Sequence, residues 1–334
     1  MTIKKIMLVL LAVCTLAING AAAAADKIKI ALVVKSLGNG FFDAAHEGAK
    51  EAAKQLGDVE IIYTGPTTPT AEGQIEIINS LISQKVNAIV ISANDENALV
   101  PITKKAMARG IKVMSFDSGI AKGGRLMQLN PSNAELIGLK QIQMALEVTG
   151  PAGGEVAILS STAQATNQNI WIVEMKKVLA KPEYAKLKLV ATAYGDDLSD
   201  KAYREAIGLL RSNPNLKVII APTTVGINAA GKAVADEKLV GKVYVTGLGL
   251  PSEMAGHVKS GAVKSFAIWN PIDLGYAATY AAYDFVKGTA TGKPGDSIAV
   301  GRMGKLTLDA NGEAALAPPF TYNKDNVDKF AKIF

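Results

Sequence analysis

The feature that most constrains the fold is a regular alternation of short apolar strands with helical segments. Helical patterns separate the strands, beginning with Asp43–Leu56, and many of them end at or just before a glycine. Several strands are nearly continuous apolar runs, which is typical of strands buried on both faces of a parallel sheet. The alternation predicts an α/β protein with parallel sheets covered by helices. The predicted strands are Ile28–Val34, Val59–Tyr63, Ala88–Ser92, Lys112–Phe116, Leu126–Leu129, Glu155–Ser160, Leu187–Tyr194, Lys217–Ala221, Lys242–Thr246 and Val263–Trp269.

The chain also contains an internal repeat. The segment Ala88–Ala93 resembles Lys217–Pro222, and the two begin 129 positions apart. The segment Lys112–Gly119 resembles Lys242–Gly249 at an offset of 130. A nearly constant offset between two pairs of strands indicates a duplicated architecture. We therefore expect two similar doubly wound parallel-sheet lobes.

Two prolines indicate where the chain passes between the lobes. Asn130–Pro131 and Asn270–Pro271 each follow a predicted strand and precede a helix. Proline fixes its own φ and disfavours helix in the preceding residue, which suits a defined crossover. A third crossing is expected near 297–306, giving a hinge of three segments. The predicted N-terminal lobe comprises residues 26–130 and 271–297, and the C-terminal lobe comprises residues 131–270 and 298–334.

The N-terminal segment, residues 1–25, has the pattern of a secretory signal peptide. Lys4 and Lys5 precede the apolar run Ile6–Ile18, and alanines precede an expected cleavage site near Ala25. The run is too short to span a bilayer as a helix. The alternative is a buried N-terminal helix. Because the single cysteine, Cys14, lies in this segment, the mature chain has none, which suits export to a bacterial periplasm.

Composition and motifs exclude several classes of function. The net charge is +6, but basic and acidic residues are interspersed, which argues against nucleic acid as a partner. One cysteine and two histidines argue against a disulfide scaffold or a zinc site. Asp43 stands where a dinucleotide fingerprint needs its third glycine. We expect no cofactor, no metal and no catalytic residue, and we interpret Asp95–Glu96 and Asp196–Asp197 as caps or solvated turns.

Ligands of parallel α/β sheets bind beyond the carboxyl ends of the strands, and these positions hold the candidate residues. Lys35 and Asp117 stand out because each ends an apolar strand with a charge that needs a partner. The set combines one cation and one carboxylate with amides, hydroxyls and aromatic rings, which favours a small neutral sugar over a phosphorylated ligand. The candidates are Lys35, Phe41, Phe42, Asp117, Asn167, Gln168, Pro222, Thr224, Trp269 and Asn270; Asn39, Gln164, Thr223, Gly247 and Leu248 also follow strand ends.

Five segments resemble the ribose-type (type I) periplasmic sugar-binding proteins, and more narrowly the branch of rhamnose-binding and autoinducer-2-binding proteins. They are Val34–Phe42, Tyr63–Thr67, Phe116–Ser118, Asn167–Trp171 and Ile219–Pro222. The resemblance covers essentially the whole mature chain. It implies a two-lobe receptor that closes on the ligand and docks with the permease of an ABC importer. We expect the receptor to be a monomer. It also adds Trp171 to the candidate site.

Departures from the family patterns bear on the ligand. Lys35, Asp117, Gln168 and Pro222 match the autoinducer-2 pocket pattern, but that pattern has aspartate in place of Asn167 and alanine in place of Thr224.

Leu248 stands where ribose receptors usually have an aspartate, and Trp269 lies near the position where they have a glutamine. A more apolar wall fits a sugar with a methyl group. We expect L-rhamnose or a related deoxysugar as ligand; the alternatives are an autoinducer-2 receptor, a secreted sugar-modifying enzyme and a transcription regulator built on the same lobes.

Overall fold

A computed structural model describes residues 27–334, so the predicted signal peptide lies outside the described residues. Within this range no helix is long and apolar enough to cross a membrane. The first half of the chain contains β1 (Ile28–Val33), α1 (Gly40–Leu56), β2 (Val59–Thr64), α2 (Ala71–Ser83), β3 (Ala88–Ile91), α3 (Val100–Ala108), β4 (Lys112–Phe116) and β5 (Gln128–Asn130).

The second half repeats this alternation and ends in a short irregular tail. Its elements are α4 (Ala134–Thr149), β6 (Gly154–Ser160), α5 (Thr166–Leu179), β7 (Leu187–Tyr194), α6 (Ser199–Ser212), β8 (Leu216–Ala221), α7 (Thr224–Asp236), β9 (Tyr244–Gly247), α8 (Pro251–Ser260), β10 (Ser265–Ile268) and α9 (Pro271–Lys287). The tail holds β11 (Ser297–Ala299), β12 (Lys305–Thr307), β13 (Glu313–Ala315), β14 (Phe320–Asn323) and α10 (Val327–Phe330).

The two lobes have the same strand order. The first sheet runs β2-β1-β3-β4-β5-β13, and every pair in it is parallel. The second runs β7-β6-β8-β9 with parallel pairing, and a parallel bridge between Leu248 and Ala267 continues it to β10 and the antiparallel β14. This confirms the predicted α/β class with parallel sheets, and the matching order agrees with the internal repeat.

Both faces of the central strands are buried, as their apolar runs predict. In β1, Leu32 packs into one hydrophobic cluster while Ala31 and Val33 pack into another on the opposite face. Successive strand residues point to opposite faces, so a strand covered on both sides must be apolar throughout. These buried strands form the rigid platforms whose carboxyl ends carry the polar residues.

The helices that follow the two crossings are exchanged between the lobes. Helix α9 follows a strand of the second lobe but packs on α1 of the first, whereas α4 packs on α5. The α1–α9 contact brings backbones together, since a methyl group at Gly48 would lie 1.8 Å from the Ile272 carbonyl oxygen. A methyl group at Gly275 would likewise lie 1.8 Å from the Ala45 carbonyl oxygen.

The tail corrects one predicted boundary. We expected residues 298–334 to lie in the C-terminal lobe after a crossing near 297–306. Instead, Glu313–Ala315 pairs in parallel with β5 of the first sheet, and only β14 joins the second sheet. The last crossing therefore lies between Ala315 and Phe320. The strand Glu313–Ala315 is short and half-exposed at a sheet edge, so no apolar run marks it in the sequence.

Candidate functional site

A cavity of about 370 Å³ lies between the two lobes at the carboxyl ends of the strands. Ten of the eleven predicted residues line it: Lys35, Phe41, Phe42, Asp117, Asn167, Gln168, Trp171, Pro222, Thr224 and Trp269. We call this the cleft cavity. The eleventh residue, Asn270, lies outside its wall and caps α9, its side chain accepting a hydrogen bond from the Ile272 N–H.

Three buried polar side chains join the lobes across the cleft. Lys35 Nζ in the first lobe donates to Asn167 Oδ1 in the second at 2.8 Å. Asn167 Nδ2 donates in turn to Asp117 Oδ1 of the first lobe at 3.0 Å. Lys35 Nζ also lies 3.9 Å from Asp117 Oδ2. The cation and carboxylate predicted at strand ends are thus partners, and Asn167 ties both of them to the opposite lobe.

Asp117 lies at the centre of this arrangement, directly after β4. Its backbone has a φ of 57°, which an aspartate tolerates better than most residues. Ser92 Oγ donates to its Oδ2 at 2.7 Å. Burial raises the pKa of the Asp117 carboxyl, while Lys35 and the hydrogen bonds from Ser92 and Asn167 oppose the rise.

Gln168 is oriented by the end of β6. Its Oε1 accepts hydrogen bonds from Ser160 Oγ at 2.6 Å and from the Ser161 N–H at 2.8 Å. Its Nε2 group has no hydrogen-bond partner within residues 27–334. Gln168 therefore offers the cleft a fixed donor that can meet a ligand hydroxyl.

Aromatic rings form one wall of the cleft. The rings of Phe41 and Trp269 meet edge to face with centroids 6.2 Å apart, and Trp171 meets Trp269 at 5.6 Å. Trp269 Nε1 is buried and has no hydrogen-bond partner in the described chain. Leu248 and Ile268 extend the same wall. The wall is apolar apart from this one indole donor.

The start of α1 places two of these rings. The helix begins at Gly40 and not at Asp43 as predicted, because the Asn39 side chain caps it by accepting from the Phe41 N–H at 3.0 Å. Phe41 and Phe42 therefore lie in the first turn, facing the cleft. Thr224 Oγ1 of the second lobe also donates to Asn39 Oδ1 at 3.3 Å, which is a second polar contact between the lobes.

Asp197 lines the cleft as well, and the sequence interpretation missed it. Thr223 Oγ1 donates to Asp197 Oδ1, and burial raises the pKa of the Asp197 carboxyl. We interpreted Asp196–Asp197 as a solvated turn, which is right for Asp196, whose Oδ2 pairs with Lys201 at 2.5 Å. The available signal was position, since Asp197 follows the carboxyl end of β7.

Asp95 has the turn role that was predicted for it. Asp95 accepts hydrogen bonds from the backbone N–H groups of Asn97 and Ala98, as expected of a turn. Asn39, Thr223 and Leu248, which follow strand ends but were not among the eleven predicted site residues, also line the cleft.

Among residues 27–334 there is no group of three His, Cys, Asp or Glu side chains that could hold a metal ion.

Comparison with known proteins gives a consistent family. The family model described as "Periplasmic binding protein domain" matches residues 30–290. A D-ribose/D-allose-binding protein of Pseudomonas aeruginosa is 30% identical over 253 residues, which is 72% of this chain and 77% of the relative.

Solved structures agree in fold. An ABC transporter solute-binding protein of Clostridium phytofermentas with bound L-rhamnose is 39% identical, with a TM-score of 0.88 over 92% of this chain and 99% of that one. A protein of Clostridium saccharobutylicum in complex with AI-2 is 24% identical, with a TM-score of 0.85 over 91% and 99% of the two chains. At that lower identity the likeness shows the fold alone.

Proposed function

The chain belongs to the periplasmic binding protein family, and on that premise we propose that it is the solute-binding receptor of an ABC importer for L-rhamnose or a related deoxysugar. It acts in the periplasm as a monomer after removal of residues 1–25. Its partners are a small neutral sugar and the importer's permease. It is a receptor and not an enzyme.

The observation that carries the proposal is the composition of the cleft cavity. One side offers Lys35, Asp117, Asn167 and Gln168, whose charged and amide groups suit the hydroxyls of a sugar. The other side is formed by Phe41, Leu248, Ile268 and Trp269. Aromatic rings pack on the C–H face of a sugar, and an aliphatic wall suits a methyl group better than a hydroxymethyl group. The L-rhamnose-bound relative supports the same choice.

Closure of the hinge is the proposed mechanism. The first lobe supplies Lys35 and Asp117, and the second supplies Asn167 and Gln168. A sugar held between them contacts both lobes only when these are together, so its binding free energy favours the closed state. The hydrogen bonds from Lys35 to Asn167 and from Asn167 to Asp117 make the closed state well defined.

An autoinducer-2 receptor is the second candidate, and one contact disfavours it. In the autoinducer-2 pattern an aspartate replaces Asn167, which would set two carboxyl groups against each other where Asn167 Nδ2 now donates to Asp117. Like charges at this distance repel. The cleft with Asn167 therefore presents a different arrangement of hydrogen-bond donors and acceptors from the autoinducer-2 pattern. Thr224 adds a hydroxyl that the same pattern lacks.

A thermal-unfolding series on the chain starting at residue 26 tests the proposal. The panel is L-rhamnose, L-fucose, L-lyxose, D-ribose, D-galactose and autoinducer-2. A ligand that binds only the folded state raises the melting temperature. The proposal predicts the largest shift with L-rhamnose. A shift with autoinducer-2 alone would overturn it, and incubation that changes the sugar chemically would favour an enzyme.

A further inference from the structure

A second cavity, with an empty volume of about 570 Å³, lies beside the hinge. We call it the hinge cavity. Residues of the first lobe, including Gly119, Arg125 and Gln128, line one side, and residues of the second, including Thr166 and Ile170, line the other. It shares three wall residues with the cleft cavity: Asp117, Asn167 and Trp171.

The shared wall keeps the two cavities apart. The hydrogen bond from Asn167 Nδ2 to Asp117 Oδ1, at 3.0 Å, lies in this wall. Trp171 completes it by packing edge to face on Trp269. The side chains of Asp117, Asn167 and Trp171 therefore stand between a ligand in the cleft and the hinge cavity.

Three buried polar atoms in the hinge cavity have no hydrogen-bond partner within residues 27–334. They are Gln128 Oε1, Ser132 Oγ and Thr166 Oγ1, on residues that are 2%, 2% and 9% exposed. The orientation of Gln128 is fixed, because its Nε2 group lies within 3.4 Å of three acceptors, Asp117 O, Leu129 O and Asn130 Oδ1. Its Oε1 thus needs a donor. Buried polar groups nearly always have a hydrogen-bond partner, so these three atoms are the groups with which a molecule in the cavity would form hydrogen bonds.

The charges around the hinge cavity indicate that the occupant is neutral. Arg125 Nη2 lies 2.6 Å from Glu313 Oε1, and Asn130 Nδ2 donates to Glu313 Oε2 at 2.9 Å. The buried cation is therefore already paired, and Asp117 is held by Lys35 and its hydrogen bonds. Glu96 is exposed at the rim. Among the described residues that line the cavity, no cation is free to hold an anion. Hydroxyl groups, which both donate and accept, match the three unpartnered atoms.

We propose that the hinge cavity is a second binding site, for a small neutral molecule with two or three hydroxyl groups, separate from the sugar site in the cleft. Both lobes line it, so the site is complete only in the closed form. An occupant therefore stabilises closure and strengthens sugar binding in the cleft, and the cleft sugar strengthens binding of the occupant by the same factor.

The first experiment uses glycerol as the probe and needs no sugar, so its result does not depend on the proposed cleft ligand. Thermal unfolding is followed over a glycerol series for the wild type and for the double variant Ser132→Ala/Thr166→Val. General stabilisation by glycerol acts on both proteins and cancels in the comparison. The proposal predicts an additional, saturable rise in melting temperature for the wild type alone. If the melting temperatures of the two proteins rise in parallel at all glycerol concentrations, the proposal is wrong and the cavity holds only water.

A second variant protects the test against misfolding. A methyl group at Gly119 would lie 3.1 Å from Gln128 Oε1, so Gly119→Ala narrows the cavity without removing any polar group. It should also abolish the saturable rise. If Gly119→Ala folds and keeps the rise, the site assignment is wrong. Coupling is read separately by titrating L-rhamnose with and without glycerol, where the wild type should gain about fivefold or more in affinity and both variants should gain nothing.

Discussion

Asn167, on the second lobe, donates a hydrogen bond from Nδ2 to Asp117 Oδ1 on the first lobe at 3.0 Å, while its Oδ1 accepts from Lys35 Nζ. A single amide thus satisfies a cation and a carboxylate at once. Neither aspartate nor leucine at this position could do so, because aspartate has no donor and leucine has neither donor nor acceptor. Because this contact joins the two lobes, we expect it to bear both on closure and on ligand binding.

Replacing Asp117 by alanine should abolish sugar binding while leaving the fold intact. The carboxylate is the buried partner of Lys35 and Asn167, and loss of hydrogen bonds to a charged group costs about 1.5–3 kcal/mol each. The measurement is isothermal titration with L-rhamnose, with circular dichroism as the folding check. Asp117→Asn, which keeps a residue suited to the positive φ, controls for backbone strain. Wild-type affinity in Asp117→Ala would contradict the site assignment.

Replacing Asn167 by aspartate should weaken L-rhamnose binding by about tenfold or more, because a second carboxyl group would face Asp117. Repulsion should raise the pKa of the pair, so the loss should be greatest at neutral pH and smaller in acid. Combined with Thr224→Ala, the change should improve binding of autoinducer-2. Titration of both ligands at two pH values tests this. Unchanged preference in the double variant would show that these two positions do not choose the ligand.

Asp197 and Asp196 form a matched pair for testing the residue that sequence interpretation missed. Asp197→Asn should lower L-rhamnose affinity by about tenfold, since Asp197 lines the cleft and is held by Thr223. Asp196→Asn should leave it unchanged, because Asp196 pairs with Lys201 at the surface. Equal effects of the two substitutions would exclude a specific role for Asp197.

Glu253 should make stability depend on pH. Burial against the start of α1, where a methyl group at Gly40 would lie 2.8 Å from Glu253 Oε1, raises the pKa of this carboxyl to about 7. The folded state therefore holds a proton that the unfolded state releases above about pH 4.5. The contribution of this proton to the free energy of unfolding is fully present below pH 4.5 and is lost as the pH rises through 7.

Glu253→Gln should remove this dependence. After allowance for partial solvent screening, the free energy of unfolding of the wild type should fall by on the order of 1–2 kcal/mol relative to the variant between pH 4.5 and 8. Urea unfolding at several pH values gives the difference directly. Parallel pH profiles for the two proteins would show that the carboxyl is not desolvated at this contact.

Much of the site could be predicted because parallel α/β sheets place ligands at one edge. Lys35 and Asp117 end apolar strands, so burial of their charges needed a partner, and the structure makes them partners. The sequence could not distinguish Asn270 from the residues of the site, because an asparagine at a strand end also serves as a helix cap. Asp197 was missed because it follows β7, an edge strand that is half-buried and mixes apolar with polar residues. A charged residue after such a strand does not stand out as one that must be buried.

The tail could not be predicted for a related reason. The strand Glu313–Ala315 is only three residues long and lies at the edge of the first sheet, where one face and one row of backbone groups remain open. Short edge strands carry little apolar signal. Their position is decided by pairing with β5 and by the Arg125–Glu313 ion pair, which join residues nearly 190 positions apart.

A paired titration of the chain starting at residue 26 with L-rhamnose and L-mannose decides whether the apolar wall of the cleft selects a methyl group. These sugars differ only in that L-mannose carries a hydroxyl where L-rhamnose has a methyl hydrogen. The wall formed by Leu248, Ile268 and Trp269 leaves that hydroxyl poorly satisfied, at a cost of about 1–3 kcal/mol. L-rhamnose should therefore bind about 5 to 150 times more tightly than L-mannose. Equal affinities, or no binding of either sugar, would contradict it.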